Sequence, residues 1–268
     1  MRGIINNGNT CYFNTAIQCL LNIPLLTNYI RAKPYDFNGP CYFTKLYTQL
    51  VYTYWTHSTA ILNINALSSA FREKFPQFTK DEEHDVQECI LCIIDILEVG
   101  YPKIKEFMYG VVLQETIWPN GKKEDREPFC VYLLHSNGTD MKEMFKASSE
   151  WNTLLDYVDD SGKTHNIATT RRIIDKYPQT LIISFDRKSD IEIVENMKFG
   201  EDTEYILQVC AMHDGFQDTG HYTCFLRRRN RWYFADDDVI KQVFKLPEKG
   251  GYYLMVYNLK TPSFEYSL

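Results

Sequence analysis

The chain has 268 residues, of which 44% are hydrophobic and 24% are charged, and its formal net charge is −6. This composition is that of a globular protein with a sizeable core, and it excludes a disordered chain. The acidic balance argues against a general nucleic-acid binder, whose surface is basic. We therefore expect no nucleic-acid partner.

The N-terminal stretch MRGIINNGN contains no apolar run long enough for a secretion signal. No other segment approaches the ~18 to 20 apolar residues of a membrane span. We therefore expect a protein of the cytoplasm, the nucleus or both, which is not secreted and has no membrane partner. The eight cysteines should then be reduced thiols.

The first predicted helix follows the stretch GNTC, residues 8 to 11. Apolar residues recur at helical spacing until Pro24 stops the pattern; they are Phe13, Ala16, Ile17 and Leu20. Either Asn9 or Thr10 can cap this helix, which places Cys11 in its first turn. There the helix dipole and free N–H groups favour an anion, so we expect a lowered pKa for Cys11. The alternative is a buried core thiol, the commoner role of such a cysteine.

The remaining elements change in character along the chain. A second helix is predicted at residues 85–98, so the first 98 residues are mostly helical. Two strand-like runs then lie between residues 108 and 140, each followed by an Asn-Gly turn signal, at Asn120 and at Asn137. A polar, charged segment extends to about residue 176. Strands dominate the last ninety residues, in the runs QTLIISF, YILQVCAM, HYTCFLR, RWYFA and YYLMVYNL.

Two of these late strands predict a hairpin that carries polar side chains. His221 begins the first strand, the turn falls at Arg229 and Asn230, and Asp236 ends the second strand. Antiparallel pairing would bring Asp236 beside His221, as required of a carboxylate that orients a catalytic imidazole. The simpler interpretation is a structural histidine and an exposed acidic turn, and these patterns alone leave both open.

Three segments together resemble the ubiquitin-specific protease family of deubiquitinases. GIINNGNTCYFNTAIQCLL resembles the family's cysteine box, and HDGFQDTGHYTCFLRRRNRWYFADDDVI, residues 213–240, resembles its histidine box. EHDVQECILCIIDILE, residues 83–98, is similar to the motif that lies between them. The three occur in the family's order and span nearly the whole chain.

The resemblance assigns a role to each catalytic candidate. Cys11 matches the nucleophile, His221 the general base and acid, and Asp236 the residue that orients the histidine. Asp237 is a secondary candidate for that orienting role. Asn6 matches the side-chain donor to the oxyanion.

The resemblance also implies a substrate. The family holds the arginine-rich, di-glycine tail of ubiquitin in a cleft between a helical thumb and a sheet palm, and β fingers grip the globular part. Asp85 matches a residue that binds this tail, and Glu83 stands where the family commonly has glutamine. His213 and Tyr222 match cleft-lining positions on either side of the loop DGFQDTG, which we expect to be mobile before substrate binds.

The finger region departs from the family pattern. Many members carry two CxxC pairs that bind structural zinc there, whereas residues 99–178 contain only Cys130. The one CxxC of the chain, Cys89 to Cys92, lies within the predicted helix at 85–98 and is better explained by core packing. We therefore predict no metal and no cofactor.

The resemblance predicts an α+β, papain-like cysteine protease fold with reduced β fingers. Residues 1–268 would form one catalytic domain, with the thumb at 1–98, the fingers at 99–178 and the palm at 179–268. The implied function is hydrolysis of the peptide or isopeptide bond after the C-terminal glycine of ubiquitin. The alternatives are a protease for a ubiquitin-like modifier and a non-catalytic ubiquitin-binding module.

Overall fold

Helices occupy most of the first 108 residues of the computed structural model, which describes residues 1–34, 37–56, 58–79, 82–135, 138–185, 190–200, 203–216 and 219–260. The helices are α1 (Cys11–Leu21), α2 (Pro24–Arg31), α3 (Tyr42–Tyr54), α4 (Asn65–Lys74), α5 (Val86–Gly100), α6 (Ile104–Met108) and α7 (Met141–Ser148). The predicted helices at the start of the chain and at 85–98 are confirmed as α1 and α5. Pro24 ends the first apolar pattern as expected, and it also opens α2, because its missing N–H is not needed there.

Within the part of the chain that the structure describes, three sheets follow the helical part. Their strands are β1 (Gly110–Trp118), β2 (Gly121–Phe129), β3 (Val131–Leu134), β4 (Asn152–Val158), β5 (Thr164–Lys176), β6 (Thr180–Phe185), β7 (Ile191–Glu192), β8 (Asn196–Phe199), β9 (Thr203–Phe216), β10 (Thr219–Arg228), β11 (Arg231–Asp236), β12 (Val239–Val243), β13 (Lys249–Gly250) and β14 (Tyr252–Leu259). A four-stranded sheet has the order β2-β1-β5-β4, and β13 pairs with β7. The eight-stranded sheet has the order β12-β11-β10-β9-β14-β6-β3, with β8 beside β9.

The segregation of helices and mostly antiparallel strands confirms the predicted α+β class. All five strand runs predicted in the last ninety residues form β6, β9, β10, β11 and β14. The short β3, inside the range predicted for the fingers, pairs in parallel with β6 and so extends the large sheet. The second Asn-Gly signal, at Asn137, lies outside the described residues.

Three charged strands before residue 176 were not predicted from hydropathy: β2, which precedes the polar, charged segment, and β4 and β5, which lie within it. β2 and β4 are the exposed edges of the four-stranded sheet, and β5 is half-exposed. Strands open to water on both faces have no alternation of apolar and polar residues to detect. Cross-strand ion pairs accompany the backbone pairing of this sheet, such as that between Arg171 on β5 and Glu115 directly opposite on β1, at 2.5 Å.

The helix α1 lies at the centre of the molecule. All of its residues are buried, and it packs against α5 on one side and against the large sheet, mainly β10, on the other. Its polar side chains bind the N-terminal segment: Gln18 donates to the carbonyl of Arg2 at 2.8 Å and accepts from the Tyr54 hydroxyl at 2.8 Å. The start of α1 therefore has a fixed position against β10.

Two apolar clusters surround the large sheet. One lies between the helices and one face of the sheet, and the other lies between the opposite face and α7. The cysteines of the CxxC pair belong to α5, where Cys89 is fully buried in the first cluster and Cys92 packs at its border. All eight cysteines are free thiols. Within the described ranges, no helix has the length and apolar character to cross a membrane.

Candidate active site

The predicted hairpin of β10 and β11 brings a histidine and a carboxylate together. Arg229 and Asn230 form its two-residue turn, with φ of 47° and 60°, as expected for the turn that suits twisted strands. At the other end, Nε2 of His221 lies 2.7 Å from Oδ1 of Asp236. An ionised carboxylate only accepts hydrogen bonds, so Nε2 carries the proton and Nδ1 is left to accept one. This is the tautomer that a general base needs.

Cys11 is the first residue of α1 and lies beside this hairpin. Its thiol receives hydrogen bonds from the backbone of Tyr12 and of Tyr222, the residue that follows His221. The packing of α1 against β10 thus brings Cys11 beside the residue that follows His221, although Cys11 and His221 are 210 positions apart by their numbers. Cys11 is only 4% exposed, whereas the side chains of His221 and Asp236 are 44% and 40% exposed.

The loop before α1 is organised by the side chain of Asn6. Its Oδ1 accepts from the backbone N–H of Gly8 at 2.9 Å and from the Thr10 hydroxyl at 3.0 Å. Thr10 occupies the N-cap position of α1 but makes no side-chain capping bond, because its hydroxyl is turned towards Asn6. The amide nitrogen of Asn6 is thereby directed away from the loop, and it donates to Oδ2 of Asp237 at 2.8 Å.

Asp237 binds the loop and not the histidine. Its Oδ1 accepts from Nδ2 of Asn14 at 2.8 Å, and its backbone carbonyl accepts from Ile4 at 2.8 Å. Asp237 has a φ of 46° in the two-residue turn between β11 and β12. Gly3 permits the close approach of the two segments, since a Cβ there would lie 2.1 Å from the carbonyl oxygen of Asp238.

Asp85 sits at the N-terminus of α5. Its Oδ1 accepts from the backbone N–H groups of Gln87 at 2.7 Å and Glu88 at 3.2 Å, which makes it the N-cap of the helix. Its Oδ2 accepts from the hydroxyl of Tyr253 on β14. Asp85 thus joins the helical part to the large sheet at the wall of the cleft.

The other three cleft candidates meet at the start of β10. Oε2 of Glu83 accepts from the backbone N–H of Gly220 at 2.6 Å. The rings of His213 and Tyr222 are 4.5 Å apart between centroids, and both side chains are buried. In the loop DGFQDTG, residues 217 and 218 lie outside the described residues, so its expected mobility stays a prediction.

The family model of the ubiquitin carboxyl-terminal hydrolases matches residues 2–257. The chain belongs to the ubiquitin carboxyl-terminal hydrolase family. Ubiquitin carboxyl-terminal hydrolase 15 of Rattus norvegicus is 28% identical over 151 residues, an alignment that covers 50% of this chain and 16% of the rat protein. The corresponding protein of Xenopus tropicalis is 30% identical over 151 residues, covering 50% of this chain and 15% of that protein. The chain therefore matches a small part of these relatives' length.

Solved structures show the same fold. A chain of the SAGA Ubp8/Sgf11/Sus1/Sgf73 DUB module bound to ubiquitin aldehyde has a TM-score of 0.82 at 17% identity, covering 97% of this chain and 70% of that chain. A chain of the SAGA DUB module bound to monoubiquitin has a TM-score of 0.83 at 18% identity, covering 97% and 69%. These likenesses confirm the architecture that the resemblance predicted.

In this ubiquitin carboxyl-terminal hydrolase, the expected lowering of the Cys11 pKa is wrong. The pKa of the thiol is raised, first by burial and then by the negative charges of Asp237 and Glu83. The hydrogen bonds from Tyr222 and Tyr12 oppose the rise without cancelling it. Position at a helix start predicted a dipole effect, but it could not reveal how deeply the thiol is covered or which acidic groups face it.

Two residues of the candidate site were missed by sequence reasoning. Asn14 binds Asp237, and Tyr253 binds Asp85. Asn14 falls one turn after Thr10 within a buried helix, and an asparagine there is a signal for a polar partner. Tyr253 belongs to a strand of continuous apolar character and gave no such signal.

One group of side chains at the site has the residue types of metal ligands. Ligand atoms of His221, Asp236 and Asp237 lie within 4.8 Å of one another. Their hydrogen bonds already account for this cluster, because Asp236 binds His221 while Asp237 binds Asn6 and Asn14. The absence of a metal or other cofactor stays a prediction.

Proposed function

We propose that the chain is a deubiquitinating thiol protease that hydrolyses the peptide or isopeptide bond after the C-terminal glycine of ubiquitin. The observation that supports this proposal is the placement of three groups where α1, the N-terminal loop and the β10–β11 hairpin meet: Cys11, the hydrogen-bonded pair of His221 and Asp236, and Asn6. The chain that carries them belongs to the ubiquitin carboxyl-terminal hydrolase family. The ubiquitin-bound modules with the same fold make ubiquitin the proposed partner.

In the proposed mechanism, Nδ1 of His221 takes the proton of the Cys11 thiol as Sγ attacks the carbonyl carbon. The resulting oxyanion accepts hydrogen bonds from Nδ2 of Asn6 and from backbone N–H groups beside Cys11. His221 returns its proton to the departing lysine amine, which leaves a thioester on Cys11. His221 then deprotonates a water molecule that hydrolyses this thioester and frees the thiol.

The raised pKa of Cys11 gives His221 a specific task in this mechanism. A thiol that is neutral in the free enzyme must transfer its proton during attack, so the reaction depends on a base that is already neutral and oriented. Asp236 supplies that orientation through its 2.7 Å contact with His221. Binding of a substrate tail would also displace water from the cleft and strengthen these contacts.

We assign the substrate tail to the cleft walls formed by Asp85, Glu83, His213 and Tyr222. The two carboxylates suit a basic tail, and we propose that the buried rings of His213 and Tyr222, 4.5 Å apart between centroids, limit the width of the passage next to Cys11. A narrow passage selects glycine by excluding side chains. Asp85 already caps α5 and accepts from Tyr253, so we propose that it contributes its negative charge to the wall that a basic tail meets.

We further propose the division of the chain into a thumb at 1–98, reduced fingers at 99–178 and a palm at 179–268. The helices α1 to α5 support the range of the thumb, and the four-stranded sheet supports the range of the fingers. The strand β3 also falls between residues 99 and 178, but it belongs to the large sheet of the proposed palm. We place the enzyme in the cytoplasm or nucleus, because eight free thiols suit a reducing compartment.

The test is cleavage of isopeptide-linked di-ubiquitin, followed on gels. The parent should release ubiquitin, and Cys11→Ala should not, whereas the control Cys41→Ser, at the N-terminus of α3, should cleave like the parent. Cleavage of a ubiquitin-like modifier but not of ubiquitin would move the proposal to that modifier. Binding of ubiquitin without turnover in the parent would indicate a non-catalytic module, a function favoured only by the raised pKa of Cys11.

A further inference from the structure

The segment from residue 82 to residue 85 is firmly attached to the thumb. The ring of His84 packs against the rings of Tyr12 and Phe78, each at a centroid distance of 5.1 Å, and its Nε2 lies 3.1 Å from the carbonyl oxygen of Thr79. Asp85 caps α5 on the next position. The backbone around Glu83 therefore has little freedom, although the Glu83 side chain itself is exposed.

From this fixed base, Glu83 reaches across the cleft to the large sheet. Its Oε2 accepts the backbone N–H of Gly220 at 2.6 Å, a short, charge-assisted bond between residues 137 positions apart. Gly220 belongs to β10 and directly precedes His221. A hydrogen bond at the Gly220 amide therefore restricts the backbone directly before His221, the candidate base.

Gly220 is also confined by the side chain of His213. A Cβ at this position would lie 2.3 Å from Nε2 of His213, so the histidine ring packs directly on the glycine backbone. The ring of His213 is in turn held against that of Tyr222. The start of β10 is thus fixed by its pairing with β9, by His213 and by Glu83.

We propose that Glu83 is a positioning residue of the proposed protease, a clamp that fixes Gly220, and with it His221, against the thumb that carries Cys11. This inference rests on the proposed function, since its purpose is to hold the base beside the nucleophile. It adds to the tail-binding role proposed above, because the partner of Glu83 in this structure is the enzyme's own backbone.

The carboxylate has a second effect that can be separated from the clamp. Glu83 and Asp237 are the acidic groups that help to raise the pKa of the Cys11 thiol, one from the thumb and one from the turn between β11 and β12. A glutamine at position 83 keeps a carbonyl oxygen that accepts from Gly220 but removes the charge. An alanine removes both, so Glu83→Gln and Glu83→Ala together distinguish the two effects.

The first experiment needs no ubiquitin. Amide hydrogen exchange at Gly220 and His221 should be parental in Glu83→Gln and faster by about tenfold or more in Glu83→Ala, because only alanine removes the acceptor. Alkylation of Cys11 should begin at lower pH in both variants, since both lose the charge. Glu82→Gln is the matched control, because Glu82 has the same charge one position away and accepts from Thr79 at 2.9 Å.

The second experiment measures kcat on ubiquitin with a C-terminal fluorogenic group. Glu83→Ala should lower kcat by about tenfold or more through misplacement of the base, and Glu83→Gln should restore most of it. Parental exchange and kcat in Glu83→Ala, or equal losses in both variants, would overturn the clamp. If the parent does not turn over ubiquitin, the proposed function fails, and the exchange measurement still decides whether Glu83 fixes Gly220.

Discussion

Asp236 and Asp237 are neighbours in the chain, yet they bind different partners. Asp236 contacts His221, whereas Asp237 accepts from Asn6 and Asn14. The turn between β11 and β12 separates them, since the φ of 46° at Asp237 directs the chain towards the N-terminal loop. We therefore assign the proposed histidine-orienting role to Asp236, and we assign Asp237 the role of anchoring the proposed oxyanion donor.

Replacement of Asp236 should affect the base. We expect Asp236→Asn to lower kcat by about a hundredfold or more, because an amide does not stabilise the same tautomer and charge of His221. The measurement is the pH dependence of kcat on a ubiquitin substrate for the parent and for Asp236→Asn. A larger loss in Asp237→Asn than in Asp236→Asn would contradict the division of roles.

Replacement of Asn6 should affect the oxyanion. We expect Asn6→Ala to lower kcat by about 10² to 10³ while KM changes little, because the donor acts mainly in the transition state. Since Asp237 acts on this step through Asn6, the double variant Asn6→Ala, Asp237→Asn should be scarcely worse than Asn6→Ala alone. Additive losses in this double-mutant cycle would show that Asp237 acts elsewhere.

Among the elements, α5 has an N-cap residue that both stabilises the helix and lies at the candidate site. Asp85 caps the helix and also accepts from Tyr253 of β14, so a single carboxylate connects α5 with the large sheet. This dual use explains why a residue matched to substrate binding is half-buried and already hydrogen-bonded.

Removal of this cap should cost stability as well as activity. We expect Asp85→Ala to lower the free energy of unfolding by about 1 to 2 kcal/mol, and Asp85→Asn by less, because asparagine is also a good N-cap. Urea denaturation of the two variants measures this difference. An equal stability of Asp85→Ala and the parent would mean that the cap contributes nothing to the fold.

The elements also show what the sequence can predict. The apolar runs of α1, α5, β6 and β14 were predicted because each has a buried face. The β10–β11 hairpin was predicted because two strand-like runs flank the short turn at Arg229 and Asn230. β2 and β4 are charged edge strands, whose pairing depends on partners distant in sequence. The same limit applies to the site. Its residues could be matched to the motifs of the family, but the burial of Cys11 and the hydrogen bond between Glu83 and Gly220 depend on residues distant in sequence and could not be predicted.

At the scale of the whole molecule, burial controls how the protein responds to alkaline pH. Burial raises the pKa of the fully covered thiols of Cys89, Cys210 and Cys224 well above 9.0, and raises that of Cys92 to about 11. These thiols stay protonated in the folded state while the unfolded chain ionises. The unfolded state therefore binds fewer protons above its own thiol pKa, and stability falls as pH rises.

The fall in stability with rising pH can be measured. Each fully buried thiol should remove about 1.4 kcal/mol of stability per pH unit above its unfolded pKa. The midpoint of urea denaturation, measured under reducing conditions, should therefore fall steadily between pH 8.5 and pH 10.5, taken as roughly the range in which free thiols ionise. A midpoint that stays constant over this range would contradict the burial of these groups.

The measurement that tests the central claim most directly is the intact mass after incubation with ubiquitin that carries a C-terminal thiol-reactive group. The parent should gain one ubiquitin, Cys11→Ala should gain none, and Cys41→Ser should react like the parent, because the cleft presents the tail to Cys11 alone. A peptide map should place the adduct on the segment that contains Cys11. Labelling that persists in Cys11→Ala, or a folded parent that gains no mass, would contradict a ubiquitin-directed nucleophile at this position.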